Sequence, residues 1–328
     1  MSYSPDERAA LRHLATIAAI LLTGATSFQE SANAADAPPW AAAVGYRENT
    51  FSSDFTDRTV DLSGLGGSGF SWYPWALFGH RADASAIVLN PDHSVTLKGD
   101  RTGPNGEILT AAPGRGSEFV GTAFGGGAYV EAELKFNPAD VAGMGSKGWP
   151  AFWALPLEGS LLKNADQWPG QPPGYRHSVE VDILEYLYLP YNVPRNVYGA
   201  GMHDWYGSPN VTCPKGLCAE HMHGKEPMRT TSPGTDFNQF HRFGFLWVPA
   251  TDSSQGYARF YFDGVPVGPD QRWTRYSDQP PPPTGQPWAF GALDQRHLVL
   301  ILGTGINEPM TVRSVQVWQA SASQNLHH

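Results

Sequence analysis

Short segments of alternating polar and apolar residues, separated by clusters of glycine, proline, asparagine and aspartate, recur from residue 51 onward. Residues 86–89 and 94–97 flank a turn at 90–93, and residues 129–136 alternate regularly. Such alternation is typical of half-buried strands. Further strands are predicted at 242–248, 257–262, 298–302 and 312–318. Because helical periodicity is almost absent, the chain is predicted to be an all-β sandwich of two antiparallel sheets around one apolar core.

Composition agrees with many strands and turns. The 328 residues include 36 Gly and 28 Pro, and only 16% are charged, against about a quarter in average domains. The net charge is -9, and no basic stripe is present to bind a phosphate backbone. We therefore expect a neutral substrate and no nucleic-acid partner.

The N-terminus has the pattern of an export signal. Arg8 and Arg12 precede an apolar run at 14–22, and small residues follow, ending in Ala-Asn-Ala at 32–34. The run is shorter than the ~20 residues that span a bilayer, and the ending is typical of a cleavage site. Residues 1–34 are therefore predicted to be a signal peptide of a secreted or periplasmic protein that has no membrane partner after cleavage. The alternative is a disordered tail.

The remaining chain is predicted to contain one domain. Residues 35–50 are interpreted as a linker, 51–320 as a single β-sandwich domain and 321–328 as a disordered tail. The polyproline segment at 279–283 is interpreted as a surface loop, because strand patterns continue after it. The sequence has no repeat of 20–50 residues, so a solenoid or a propeller is not predicted.

The chain has 2 cysteines, Cys213 and Cys218. In an exported protein such a close pair predicts a small disulfide in a loop. A zinc site that also uses His221 and His223 is the alternative, because these are zinc-binding residue types. An oxidising compartment and the tight spacing favour the disulfide.

The strongest chemical signal is the run Val-Glu-Val-Asp-Ile-Leu-Glu at 179–185. Alternation in a strand places Glu180 and Asp182 on one face and Glu185 on the other. A β-bulge of one extra residue would bring Glu185 to the same face. Bulges of this kind are common beside active sites, so we expect one here.

Three carboxylates on one face repel each other, which is costly for a strand that has only a structural role. Retaining glycoside hydrolysis uses such a group, because it needs an ionised nucleophile beside a protonated acid. Mutual repulsion separates the pKa values of neighbouring carboxyls. The alternative interpretation is an acidic, solvated edge strand.

Several aromatic residues lie among glycine and proline near this run. Trp149, Trp153 and Trp168 suit stacking on sugar rings, whereas Trp247 and Trp318 are expected in the sandwich core. Two further tryptophans are left open between a cleft position and a loop contact: Trp72 and Trp75.

Residues 148–156 (Gly-Trp-Pro-Ala-Phe-Trp-Ala-Leu-Pro), followed by Glu-Val-Asp-Ile-Leu-Glu at 180–185, resemble glycoside hydrolase family 16. The similarity is to the laminarinase-like branch of bacterial endo-β-1,3-glucanases, and segments at 51–55, 126–135, 240–247, 260–264 and 309–318 extend it. The resemblance implies a concanavalin A-like β-jelly-roll sandwich and a retaining mechanism.

The family motif implies a role for each matching residue. Glu180 matches the nucleophile, Glu185 the general acid/base and Asp182 the residue that hydrogen-bonds the nucleophile. The residues that match the sugar-binding set are Trp149, Trp153, Trp168 and His203.

The chain also departs from the family pattern. Val179 replaces a frequent Gly, and long segments at 157–178 and 203–234 would alter the rim of the cleft. Arg313 lies near the position of an Asp that helps many members to hold structural calcium. We therefore expect no cofactor and no metal.

The favoured function is an endo-acting, retaining hydrolase of a β-1,3- or β-1,3/1,4-glucan that acts as a monomer. Two alternatives remain at this point: a non-catalytic carbohydrate-binding protein on the same fold, and a transglycosylase.

Overall fold

The computed structural model describes residues 36–56, 59–77, 82–162, 176–187, 195–207, 219–222, 227–276, 288–321 and 324–328. Its α-helices are short: α1 (Pro39–Ala42), α2 (Pro138–Gly143) and α3 (Leu157–Ser160). The 3₁₀ segments are Ala84–Ala86, Gly145–Lys147 and Ala289–Gln295. The strands are β1 (Glu48–Ser53), β2 (Tyr73–Pro74), β3 (Ile87–Leu89), β4 (Val95–Leu97), β5 (Ile108–Leu109), β6 (Ala111–Ala112), β7 (Val120–Gly125), β8 (Ala128–Phe136), β9 (Ala151–Pro156), β10 (Arg176–Glu185), β11 (Val197–Gly207), β12 (Ala219–Met222), β13 (Met228–Thr230), β14 (His241–Val248), β15 (Gly256–Phe262), β16 (Val265–Trp273), β17 (His297–Leu302), β18 (Met310–Gln319) and β19 (Leu326–His327).

The strands form two antiparallel sheets, which confirms the predicted all-β sandwich. In the described part of the chain, sheet 1 has the order β16-β15-β14-β8-β18-β4-β3, and β1 also pairs with β18. Sheet 2 has the order β12-β11-β10-β9-β17-β5-β2. The remaining strands extend sheet 2 through β11 and β17: β13 pairs with β11, and β7 joins β17 to β6 and β19. Residues 36–328 form one compact unit.

The main core lies between the two sheets. Alternation along β8 turns Val130, Ala132 and Leu134 inward, and β10 contributes Val179 and Val181 from the opposite side. Burying such side chains provides about 1.5–3 kcal/mol each. The same parity leaves Glu180 and Asp182 on the outer face of sheet 2. Core packing therefore decides which face of β10 carries the acids.

A partly buried carboxylate ties the edge of this core together. Asp294 accepts hydrogen bonds from Trp247 Nε1 and Trp273 Nε1, both at 2.7 Å, and from the backbone N of Ala250 at 2.9 Å. Trp247 is buried in the core between the sheets as predicted, and Trp72 is also fully buried there. Trp318 is buried instead on the outer face of sheet 1, beside Tyr129 and Tyr261, because its position in β18 turns it away from the core. Trp75 is exposed.

The segment interpreted as a linker at 35–50 has a structural role instead. Helix α1 packs on the outer face of sheet 1, where Trp40 stacks on Tyr261 with ring centroids 5.1 Å apart. Ala41 and Tyr46 are buried in the same cluster, and β1 begins at Glu48. This segment therefore shields the aromatic residues on the outer face of sheet 1 from water.

The C-terminus also differs from the predicted disordered tail at 321–328. Leu326 and His327 form β19, which pairs with Ala123 and Thr122 of β7. The His328 carbonyl accepts a hydrogen bond from Gly121 N at 3.0 Å. This short polar segment covers the edge of β7. Pairing with a strand edge uses backbone groups, so it needs no strong sequence pattern.

Among the described residues, no helix has the length and apolar character that a membrane span requires. The predicted signal peptide at 1–34 and the polyproline loop at 279–283 lie outside the described residues.

Candidate active site

A one-residue bulge in β10 places the acidic residues. Asp182 is aligned with Trp153 of β9, but Leu184 is aligned with the next residue, Phe152. The pairing with β11 shifts by the same amount, because Asp182 is opposite Gly201 and Glu185 is opposite Gly199. The sequence predicted this bulge, and the structure confirms it.

The core accommodates the extra residue of the bulge. Ile183 and Leu184 are consecutive, yet both are buried in the core cluster between the sheets. Glu185 then returns to the outer face, which we call the carboxylate face because it bears Glu180, Asp182 and Glu185. Two apolar neighbours inside and three acids outside are the local result of one inserted residue.

Strand β11 has glycine opposite two of the acids. Gly201 and Gly199 lie directly opposite Asp182 and Glu185, and the β11 side chain that reaches Asp182 is that of His203. A Cβ added at Gly201 would lie 2.8 Å from Pro227 Cδ, which makes a larger residue unfavourable. Pro227 therefore packs closely over β11 at the position opposite Asp182.

Each acid has a different partner. His203 Nε2 lies 2.9 Å from Asp182 Oδ2, and Trp149 Nε1 donates to Glu185 Oε1 at 3.0 Å. Asp182 is only 2% exposed, whereas Glu180 and Glu185 are half-buried. The buried member of the set is thus the one beside a histidine, and the other two can reach a substrate.

Trp205 is a site residue that the sequence analysis did not include. Its Nε1 donates to Glu180 Oε2 at 2.7 Å, and its ring stacks on His203 with centroids 5.9 Å apart. Trp205 lies two residues after His203 on β11, so both side chains share one face. That spacing was the available signal, but the sequence does not show that β11 is adjacent to Glu180.

Trp153 is on the carboxylate face but is not exposed. It is 5% exposed, packs in a second apolar cluster with Ile301 and Leu109, and donates from Nε1 to the Gly303 carbonyl at 2.7 Å. Little of its ring is left to stack on a sugar. The structure therefore places Trp153 in the floor of the site, whereas Trp149 is partly exposed.

Two buried carboxyls lie beneath the loop that supports these tryptophans. Glu107 and Glu308 are fully buried, and neither Oε2 atom has a hydrogen-bond partner. Burial raises the pKa of Glu107 to about 9, and the charge of Glu308 adds to this increase. Burial also raises the pKa of Glu308 to about 7, against the effect of hydrogen bonds from Thr304 and Ile306.

The loop between β17 and β18, residues 303–309, is called the Glu308 loop and is in direct contact with Trp149. Glu308 Oε1 accepts from Thr304 N at 2.9 Å, and the Asn307 carbonyl accepts from Trp149 N at 3.2 Å. Trp149 in turn donates to Glu185. The sequence alone does not reveal this pair, because isolated glutamates far apart in the chain give no periodic signal.

The start of β10 is fixed by a second buried polar pair. His177 Nε2 contacts Asp204 Oδ1 across β10 and β11, and both side chains are fully buried. Removing one partner of such a buried pair is costly, because the other partner stays buried and unpaired. It therefore holds the register of the two strands three residues before Glu180.

One set of atoms at the site could hold a cation. A carboxylate oxygen from each of Asp182 and Glu185 and a ring nitrogen of His203 all lie within 4.8 Å of one another. Nitrogen and carboxylate ligands of this kind suit a divalent transition metal. The sequence predicted no metal, and this stays a prediction.

Several predicted site residues lie outside the described residues. They are Trp168, Cys213, Cys218 and His223, so the disulfide and its zinc alternative also stay predictions. The backbone of His221 belongs to β12.

Comparisons with known proteins support the fold. No family model matches the chain, and no curated protein matches it. Among solved structures, the chain is similar to an endo-1,3-β-glucanase from Streptomyces sioyaensis, with 22% identity, a TM-score of 0.50, and coverage of 90% of this chain and 100% of that one. At this identity, the similarity shows a shared β-sandwich fold.

Two carbohydrate-binding domains are more distant. The exoplasmic/lumenal domain of VIP36 in its Ca²⁺/Man-bound form has 9% identity, a TM-score of 0.38, and coverage of 84% of this chain and 91% of that one. A point mutant of the Emp46p carbohydrate recognition domain has 9% identity, a TM-score of 0.34, and coverage of 79% and 95%. At such TM-scores, neither similarity supports a conclusion about this chain.

The buried carboxyl pair predicts how stability depends on pH. Both folded-state pKa values exceed the ordinary value of 4.5, so the pair stabilises the fold most at low pH, and this contribution is lost as pH rises through about 7 and about 9. The free energy of unfolding should fall from about pH 4.5 up to about 7 because of Glu308, and up to about 9 because of Glu107. The slope should be up to ~1.4 kcal/mol per pH unit for each group.

Urea denaturation of Glu107→Gln from pH 5 to 9 tests this effect. The amide can donate to Glu308 and carries no charge, so the variant should depend less on pH and exceed the parent above pH 8 by about 1 kcal/mol or more. Glu133→Gln, a partly exposed control on sheet 1, should follow the parent. Parallel curves for Glu107→Gln and the parent would contradict the prediction.

Proposed function

We propose that the protein is a retaining, endo-acting glycoside hydrolase that cleaves a β-linked polysaccharide, with a β-1,3- or β-1,3/1,4-glucan as its substrate class. The observation that carries this proposal is the β10 bulge, which gathers Glu180, Asp182 and Glu185 on one outer face. Three acids in this arrangement repel each other and need a functional reason. A double displacement supplies one.

In the first step, a carboxylate oxygen of Glu180 attacks the anomeric carbon as the glycosidic C–O bond breaks. Glu185 gives its proton to the departing oxygen, so the leaving chain ends in a hydroxyl group. The product is an ester between Glu180 and the sugar, with the anomeric configuration inverted. The partial exposure of both glutamates supports this assignment.

In the second step, Glu185 is ionised and takes a proton from water. The water oxygen attacks the anomeric carbon, the ester bond to Glu180 breaks, and the configuration is inverted again. The net result is retention, and both carboxyls regain their starting protonation states. If a sugar hydroxyl replaces water in this step, the same site performs transglycosylation.

The neighbouring residues suit these roles. The Trp205 indole at 2.7 Å stabilises an ionised Glu180, because a hydrogen bond to the charged form favours it. We propose that Asp182, held beside His203, hydrogen-bonds the nucleophile and orients it. The hydrogen bond from Trp149 to Glu185 supports a role in fixing Glu185, and a partly exposed indole suits stacking on a sugar.

The substrate class rests on resemblance. The sequence motifs resemble laminarinase-like enzymes, and the chain shares its fold with a protein described as an endo-1,3-β-glucanase. Laminarin is therefore the first polymer to test. We further propose that the mature protein acts outside the cytoplasm as a monomer, needs no cofactor, and has the polysaccharide as its main partner.

Paired glutamine variants test the mechanism. Glu180→Gln and Glu185→Gln should each lower release of reducing ends from laminarin by at least ~10³-fold. The partly exposed control Glu133→Gln should retain parent activity. A panel that adds mixed-linkage β-glucan, agarose, carrageenan and xyloglucan identifies the linkage.

Azide rescue with an activated aryl β-glycoside separates the two roles. Azide should give a β-glycosyl azide with Glu185→Gln, because it attacks the ester intermediate, and an α-glycosyl azide with a Glu180→Gly variant, because it replaces the nucleophile. Full activity of Glu180→Gln would exclude the mechanism. Binding without product release would favour a carbohydrate-binding protein, and elongated products would favour a transglycosylase.

Trp205→Phe tests the positioning of Glu180. The phenyl ring can still stack on His203, but it cannot donate to the carboxylate, so kcat/KM should fall about 10-fold. The acidic limb of the kcat/KM profile should move to higher pH, because the ionised nucleophile loses a donor. Trp40→Phe, on the outer face of sheet 1, should change neither quantity. An unshifted pH profile for Trp205→Phe would indicate a purely structural role.

A further inference from the structure

An arginine is buried at the edge of the sandwich without an acidic partner. Arg229 lies on β13 and is 5% exposed. Among the described residues no carboxylate pairs with it, and its Nε has no hydrogen-bond acceptor. Its described contact is with the face of Phe260, 5.5 Å from the ring centroid. Burying an unpaired cation is costly unless something compensates its charge.

A second unsatisfied donor lies beside this guanidinium. Tyr198 is aligned with Arg229 across β11 and β13, is 1% exposed, and has no partner for its hydroxyl group. Burial raises the pKa of Tyr198, and the charge of Arg229 opposes this increase, so the phenol is neutral near pH 7. Two neighbouring buried donors, one charged, both lack an acceptor.

The same arginine lines an open cavity of about 530 Å³ between the β13 region and the β15–β16 hairpin. Thr230, Ser232 and Thr235 lie on one wall, where the Thr235 hydroxyl donates to the Ser232 carbonyl at 2.9 Å. Met228 and Val265 form an apolar, exposed rim. This volume falls within the ~300–1,000 Å³ typical of small-molecule sites. The cavity is much larger than a single inorganic ion.

Gly268 makes room for the guanidinium in this cavity. A Cβ on Gly268 would lie 1.8 Å from Arg229 Nη1, so no larger residue fits without displacing the arginine. The one carboxylate among the lining residues, Asp263, is engaged elsewhere: its oxygens accept from His241 Nδ1 at 2.7 Å and Arg242 N at 2.8 Å. The free donors of the cavity therefore favour an anion.

We infer that this cavity is a binding site for an oxyanion (sulfate, phosphate or carboxylate) carried on a small organic molecule such as an anionic sugar. The guanidinium of Arg229 supplies the charge and a fork of N–H donors. The hydroxyl groups of Thr230 and Ser232, which line the cavity, add neutral donors. This site is separate from the carboxylate face, because Arg229 shares the inward face of sheet 2 with Tyr198, and the inference does not depend on the proposed hydrolase activity.

Calorimetric titration of the full chain at low ionic strength tests the site, with sodium sulfate, sodium glucuronate and uncharged glucose as probes. Sulfate and glucuronate should bind saturably, and glucose should not. Glucuronate binding at least tenfold tighter than sulfate would identify an anionic sugar as the natural ligand class. Sulfate binding equal to or tighter than glucuronate binding would support the oxyanion site and identify a free inorganic anion.

Two variants and a control make the test specific. Arg229→Met should weaken binding at least tenfold, and Gly268→Ala severalfold, because its methyl group displaces the guanidinium. Arg272→Met, a half-exposed arginine on β16 paired with Asp270, should bind within twofold of the parent. If Arg229→Met does not fold, Gly268→Ala carries the test. Absence of saturable binding by the parent, or equal binding by parent and folded variants, would overturn the inference.

Discussion

The insertion of one residue in β10 is the constraint on which the candidate site depends. Strict alternation would bury Glu185 between the sheets, where an unpaired charge is very costly. The bulge turns Glu185 outward and sends both Ile183 and Leu184 into the core. The fold thus gains apolar contact from the same irregularity that gathers the acids. Deleting that residue would exchange the two faces downstream and remove the site.

Buried polar contacts lie on both sides of this bulge. The His177–Asp204 pair fixes the register before it, and the Glu308 loop holds Trp149 after it. The region beneath the Glu308 loop is electrostatically unfavourable, because Glu107 and Glu308 are buried close together and each has an oxygen without a hydrogen-bond partner. Strain of this kind beneath a site is typical of proteins that give up stability for a fixed arrangement of functional groups.

Local patterns predicted much of this structure. Strand alternation gave the sandwich, and the spacing of Glu180, Asp182 and Glu185 predicted the bulge. Contacts set by tertiary structure were not predictable: Trp205 reaches Glu180 only because β11 is next to β10. The terminal segments were misinterpreted for a related reason. Helix α1 and β19 are stabilised by the aromatic face and the strand edge that they cover, and their own sequences carry little pattern.

The central claim is that Glu180 forms a covalent bond to the sugar. The most direct measurement is to trap that ester with a laminari-oligosaccharide that bears fluorine beside the anomeric carbon and an activated leaving group, followed by peptide mass spectrometry. The account predicts one sugar adduct per chain, located on Glu180 by fragmentation, and no adduct in Glu180→Gln. A chain that hydrolyses laminarin but remains unlabelled, or carries the adduct on another residue, would contradict it.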